Sequence, residues 1–463
     1  MNIGQPMMVG LCLVLIAADQ PQWGERYSRN MVSTETGLPD CFDPATGTSI
    51  KWSAALGTET YSTPVVAGGR VLIRTNNEQP RDPGHTGDRG VLMCFDEHDG
   101  RFRWQLVCHK ITTSPFWDWP RAGICSPATV ESNRVYIVSN RGEVLCLDLY
   151  PTKTTLTEAD AVWRFDIINN CGVRQHDSAH CSILLHGRFL YINTSNGLDD
   201  PHRTIPAPHA PSLIVLDKTT GRLLAQDGER IGPKIFHSTW SSPALGEVGG
   251  RTLVFFCGGN GIVYAFEALR EVPARVVTLK KLWQYDPDPT APKENIHSYI
   301  RNRKVSPSNI KSMPVFHNGR LYITHGGDVW WGKNEAWLKC VDAATGRELW
   351  SHPLQRHCMS TPAVAAGMVF AADCAGLVHC VDATTGTPHW THQTGGELWA
   401  SPLVADNKLY IGNRRGDFVI LAATKDKKLL CSVKLDRAVH SSAVAANGKV
   451  FVATMNRLYA IAR

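Results

Sequence analysis

The chain lacks the marks of several protein classes. It contains no Cys-x-x-Cys-His and no paired Cys-x-x-Cys, which excludes a covalently attached haem and a thiolate zinc framework. Its N-terminal apolar stretch, Val9 to Ala18, is too short to span a bilayer. It suits the core of a secretory signal, although no Lys or Arg precedes it, and Cys12 lies inside the stretch, where it does not support a lipoprotein cleavage site. Residues 1–18 are therefore expected to be a signal peptide, and the chain to be exported to the periplasm or cell envelope. Charge is also scarce: 19% of residues are charged, the net charge is +6, and basic residues are scattered among acidic ones. That pattern carries no nucleic-acid footprint. No Pro/Ser-rich linker divides the chain, so residues 19–463 are expected to form one domain, with no integral membrane segment.

What is present is a repeat. Ala336-Trp-Leu-Lys-Cys-Val-Asp-Ala-Ala-Thr-Gly-Arg-Glu-Leu-Trp350 returns as Gly376-Leu-Val-His-Cys-Val-Asp-Ala-Thr-Thr-Gly-Thr-Pro-His-Trp390, and more faintly around Cys94 and Val215. A Ser/Thr-Pro step before a small apolar strand precedes each copy at Pro64, Pro127, Pro243, Pro314, Pro362 and Pro402, with Ser182 and Ala443 in the same place in two further units. The shortest steps are about 40 residues, the length of a four-stranded propeller blade. The Asp of each Asp/Thr/Gly turn can accept hydrogen bonds from turn amides while its Gly takes the left-handed position.

Six tryptophans, Trp52, Trp104, Trp163, Trp283, Trp350 and Trp390, fall at or next to one position of the outermost strand, where a flat side chain can pack between blades. The last unit stops after three strands, and the first begins with an unpartnered turn and strand, Asp43 to Trp52. Pairing them removes two exposed sheet edges. The prediction is all-β: an eight-bladed β-propeller of four-stranded antiparallel blades, closed by the N-terminal strand joining the C-terminal blade. Fourteen cysteines are present, thirteen beyond the signal region, and an odd number cannot all pair. Cys94, Cys146, Cys340 and Cys380 stand two residues before the turn Asp or its equivalent, in separate blades, and read as small core residues rather than disulfide partners.

Strand alternation places the A-to-B and C-to-D turns on one rim. The B-to-C and interblade loops then share the other, which collects the unusual residues and the insertions that lengthen the blades beginning at Ser182 and Pro314. Long loops on a rigid ring concentrate binding residues. The third residue before each repeated Pro, or its substitute, is Tyr61, Ile124, Ala179, Trp240, Lys311, Met359, Trp399 and His440, and these positions should approach the channel mouth. Trp240 or Trp399 can stack on a flat ligand, while Lys311 and Arg356 can neutralise its carboxylates; His180, His357 and His440 join the candidate binding set. The alternative is that these residues only plug the mouth. The irregular spacing of His176, His180, His237, His357 and His440 argues against a dedicated metal site, and none is assigned. Asp328, beside Trp330 and Trp331, is the candidate base if a desolvated mouth raises its pKa; it is equally suited to accepting backbone hydrogen bonds within its loop.

The repeat of Cys340-Val-Asp-Ala-Ala-Thr-Gly-Arg-Glu-Leu-Trp350 and Cys380-Val-Asp-Ala-Thr-Thr-Gly386 resembles the tryptophan-docking repeat of the pyrroloquinoline quinone (PQQ) propeller superfamily, across almost the whole chain after the signal region. That superfamily includes quinoprotein alcohol and glucose dehydrogenases and the noncatalytic propeller lipoprotein of the outer-membrane β-barrel assembly machinery. The dehydrogenase branch implies PQQ with calcium, a Trp beneath the quinone, a vicinal disulfide above it and a catalytic Asp. The chain has no Cys-Cys pair, and neither the calcium ligands nor the catalytic Asp can be matched residue by residue. The resemblance thus implies two functions: a quinone-dependent oxidation of an alcohol or sugar, with an external electron acceptor, or a noncatalytic scaffold for an envelope protein partner.

Overall fold

The computed structural model describes residues 18–463, so the signal-peptide expectation for residues 1–18 lies almost wholly outside the described residues. Eight antiparallel sheets follow one another round a ring. The blade Ala363–Ala365, Met368–Ala372, Leu377–Asp382 and Pro388–Gln393 shows the unit in its regular form. Its short inner strand is Ala and Val only, narrow enough to crowd round an axis, while its outer strand alternates exposed and buried residues. Two blades gain a fifth, parallel strand, Thr155–Leu156 and Val277–Thr278. Among the described residues no helix is long and apolar enough to cross a membrane.

The ring closes as expected. Ile50–Ala55 pairs antiparallel with Arg457–Ile461, Trp52 opposite Ala460. The closing strand begins at Ile50, and Asp43 to Thr48 forms the tight turn before it.

Blade-to-blade contact rests on the tryptophans. Each of the six indole N–H groups donates to a backbone carbonyl of the next blade: Trp52 to Glu97, Trp104 to Leu149, Trp163 to Lys218, Trp283 to Ala343, Trp350 to Ala383 and Trp390 to Thr424, all at 2.9–3.1 Å. The repeat glycine faces the same ring. Gly386 has φ +74°, and a Cβ there would lie 2.6 Å from Trp350 Cε3, so the position excludes any side chain on two independent grounds. Cys94, Cys340 and Cys380 stand opposite Trp104, Trp350 and Trp390 across the strand pair and are fully buried. A small side chain there leaves room for the indole.

Two features were not foreseen. A disulfide joins Cys41 to Cys431, 390 residues apart, adding a covalent tie beside the noncovalent closure. In addition, residues 20–33 cross the ring and bond to all eight blades. Gln20 pairs with Val66, Pro21 O accepts from Val130 N, Tyr27 O from Leu245 N and Ser28 O from Phe316 N. Asn30 exchanges two bonds with Val364, Met31 O accepts from Val404 N, and Ser33 Oγ donates to Ala445 O. Arg29, wholly buried, fans out to Pro243 O, Trp23 O and Ser182. Burial pushes its pKa down to about 10, and the carbonyl oxygens supply the partners that a buried charge requires. This segment stops the channel.

Candidate functional site

Above that stopper lies a cavity of about 350 Å³, with Trp23 in its wall. Six of the eight collar positions reach it: Tyr61, Trp240, Lys311, Met359, Trp399 and His440. Position relative to the repeated proline was therefore the informative signal. His180 also lines the cavity, 4.5 Å from the Trp240 ring. Arg356 and His357 do not. Arg356 points to Glu397 (3.8 Å) and is partly exposed; His357 is buried elsewhere, and burial takes its pKa down to about 4. Both lie further from Pro362 in sequence than the collar position, Met359, which does line the cavity.

The aromatic walls are continuous. Trp330 meets Trp240 edge-on at 5.5 Å and Trp399 at 5.6 Å; Trp399 lies 4.9 Å from His440. Among the described residues, Lys311 is the only Lys or Arg in the cavity wall, and it is already committed. Its ammonium sits 2.9 Å from Asp328 Oδ2, off the angle of a hydrogen bond, and 4.0 Å over the Trp240 ring. Burial lowers its pKa, and Asp328 only partly offsets this.

Asp328 is correspondingly not a raised-pKa base. Burial opposes its ionisation, but Lys311 and His237 outweigh burial and hold its pKa well below the carboxylate range. Oδ1 accepts from the Trp330 and Trp331 amides (both 3.0 Å), and Oδ2 accepts from His237 Nδ1 (3.0 Å). The carboxylate thus shapes its own insertion and orients an imidazole.

That imidazole belongs to a cluster. His176 from one interblade loop, His237 from the next, and His202 from the long 194–212 connection bring one ring nitrogen each within 4.8 Å of one another, all buried. Asp177 stands beside them, its Oδ2 3.7 Å from His176 Nε2 and 3.6 Å from His237 Nε2. Phe116 stacks on His176 (5.5 Å) and Trp331 packs against His202 (4.4 Å). Burial drives His176 down to about 3 and His180 to about 4. For His237 burial acts in the same direction, but the carboxylates of Asp328 and Asp177 prevail and raise it. Sequence spacing omitted His202 from the histidine set; its place in the largest insertion of the same rim was the available signal.

Comparison with known proteins fits this architecture. The family model described as outer membrane protein assembly factor BamB matches residues 27–115, 271–397, 334–424 and 376–463, together more than half of the chain. The protein belongs to that family, within the PQQ-like propeller superfamily. A search of curated proteins finds no match. Among solved structures it is similar to BamB from Moraxella catarrhalis (13% identity, TM-score 0.60, covering 89% of this chain and 98% of that one). It is also similar to a europium-containing methanol dehydrogenase (11%, TM-score 0.62, 96% and 98%). The computationally designed Ika8 protein matches as well (13%, TM-score 0.52, 89% and 100%). At such identities the likeness is one of fold.

Proposed function

We propose that this propeller is a small-molecule binding protein of the cell envelope, which holds a flat-faced ligand in its aromatic mouth. One observation carries the reading: a recess of about 350 Å³ into which one loop position of six different blades delivers its side chain. A docking surface for a folded partner needs no such recess, whereas small-molecule sites are concave and mostly apolar with a few placed polar groups. Trp240, Trp330 and Trp399 offer faces and edges for stacking; His180 and His440 supply polar contacts. Export accords with the Cys41–Cys431 disulfide, a bond that persists in oxidising compartments.

PQQ with calcium does not suit this donor set. Three quinone carboxylates would face Lys311 alone, and that lysine is paired with Asp328. Calcium takes six to eight oxygen ligands, while the nearest cluster presents imidazole nitrogens. A noncatalytic scaffold is the second reading, favoured by the family match.

Tryptophan fluorescence and thermal shift with planar bicyclic and tricyclic compounds, PQQ with and without calcium, and mono- and disaccharides test the proposal. Saturable quenching by a planar compound or sugar is expected, weakened about tenfold by Trp399→Ala, as loss of a stacking face should do. Absence of saturation with every compound overturns the reading and leaves the scaffold.

A further inference from the structure

The three histidines are wired in a way that leaves their other nitrogens without a partner. His176 Nδ1 lies 2.9 Å from Leu198 O, and His202 Nδ1 lies 2.9 Å from Asp200 O. A carbonyl oxygen can only accept, so both Nδ1 atoms carry the proton, and in the neutral ring each Nε2 then presents a lone pair. Yet these two Nε2 atoms face each other at 3.2 Å. His237 follows the same rule: Nδ1 donates to the Asp328 carboxylate, and its wholly buried Nε2 has no hydrogen-bond partner among the described residues. With all three rings neutral, three lone pairs converge, with the Asp177 carboxylate beside them.

We propose that His176, His202 and His237, through their Nε2 atoms, together with Asp177, bind one divalent first-row transition-metal ion at the wall of the cavity. Metal–ligand bonds of about 2.0–2.1 Å place tetrahedral ligand atoms roughly 3.3–3.4 Å apart. The observed separations are 3.2 Å for His176 to His202, 3.6 Å for Asp177 to His237 and 3.7 Å for Asp177 to His176, and the three histidine nitrogens lie within 4.8 Å of one another, so the side chains close in on the ion as it binds. The last two exceed hydrogen-bonding distance and lie about 0.3 Å outside a tetrahedral edge. A shared proton between His176 and His202 explains one contact and attraction between Asp177 and His237 a second, whereas a single metal ion accounts for all three at once.

The outer contacts point the same way. Metal-bound imidazoles donate their remaining N–H to a carbonyl or carboxylate, which fixes the tautomer and the ring orientation. Here Leu198 O, Asp200 O and Asp328 fill those three roles. The backbone is held in the left-handed region at Asp177 (φ +57°), Ser178 (φ +76°) and His202 (φ +58°), three non-glycine residues, a strain that concentrates where geometry is imposed for function. Imidazole with one carboxylate suits zinc, iron, copper or nickel rather than calcium or magnesium. Asp177 and His202 both line the cavity, so a heteroatom of a bound ligand or a water can complete the sphere from that side. The metal site stands independently of the small-molecule reading.

Cobalt is the probe. The full chain, stripped with a chelator, is titrated with Co²⁺ while visible absorption and bound metal are measured. One Co²⁺ per chain with the bands of a four- or five-coordinate centre is expected, displaced by Zn²⁺ and not by Ca²⁺. His202→Ala and Asp177→Asn should weaken uptake roughly 100-fold, the scale seen when a metal's support is removed, whereas the exposed-site control His98→Ala should not. No stoichiometric Co²⁺ or Zn²⁺ in the native chain, or bands that survive His202→Ala, overturns the proposal. Should His202→Ala fail to fold, pulsed EPR of the Cu²⁺-loaded native chain replaces it; absence of imidazole nitrogen coupling is then the overturning result.

Discussion

The blades that begin at Ala363, Leu403 and Val444 differ from those that begin at Leu184 and Val315 in one connection. In the first group the second and third strands are joined by residues 373–376, 413–416 and 454–456; in the second group by 194–212 and 327–335. Where the connection is short, its polar residues bond to their own turn: Asp373 Oδ1 accepts from Ala375 N and Leu377 N, and Asn413 Oδ1 accepts from Arg415 N and Asp417 N. Where it is long, Asp328 and His202 reach across to neighbouring blades and meet Lys311, His237 and His176. Regular blades use polar groups to hold themselves; extended blades use them on each other. Both kinds bury ionisable groups, as His379 and Asp373 do in a regular blade, but those of the extended blades meet beside the cavity.

That contrast can be broken from either side. Trp350→Ala, in the regular part, should have the largest effect on stability, about 4 kcal/mol as for other buried Trp truncations, read by urea unfolding, with Co²⁺ uptake unchanged. Asp328→Asn, in the extended part, keeps the shape but strips the buried Lys311 of its countercharge; a loss of about 3 kcal/mol is expected, together with weaker Co²⁺ uptake because His237 loses its orienting carboxylate. The two variants thus separate on metal uptake more than on stability. Gly386→Ala should cost about 2 kcal/mol, since φ +74° and the Trp350 ring both oppose a Cβ, again without touching the mouth.

The smallest effect concerns acid. His325, 1% exposed and stacked on Trp337, has no partner for either ring nitrogen among the described residues. Burial takes its pKa from 6.5 down to about 3. Below pH 6.5 the unfolded chain binds a proton that the folded chain refuses, so stability is full above that pH and is lost as pH falls toward 3. His325→Phe should flatten this dependence and move the acid unfolding midpoint to lower pH; an unchanged midpoint would show that the ring is not held neutral.

The ring was legible because it is periodic. The Asp/Thr/Gly turns, the six tryptophans and the unpartnered edges at the two ends determine blade number and closure through local rules that repeat. Six of the eight collar positions were legible for the same reason, counted from the proline; Ile124 and Ala179 do not line the cavity, nor do Arg356 and His357, which lie outside the count. The stopper at residues 20–33 has no repeat and no strand pattern; its bonds are to inner-strand backbones scattered over the whole chain. The Cys41–Cys431 pair, 390 residues apart, leaves no spacing to read. Asp328 was legible as unusual, but the sign of its shift was not, since Lys311 and His237 become its neighbours only once the ring is closed.

The segment from Gln20 to Ser33 gives the torus a blind end. A hole through a propeller axis suggests passage from one side to the other, yet here a wholly buried Arg29 and its carbonyl partners stand in that route. If the mouth holds a ligand as proposed, that ligand enters and leaves on the same side of the ring, and its residence time is set at one doorway.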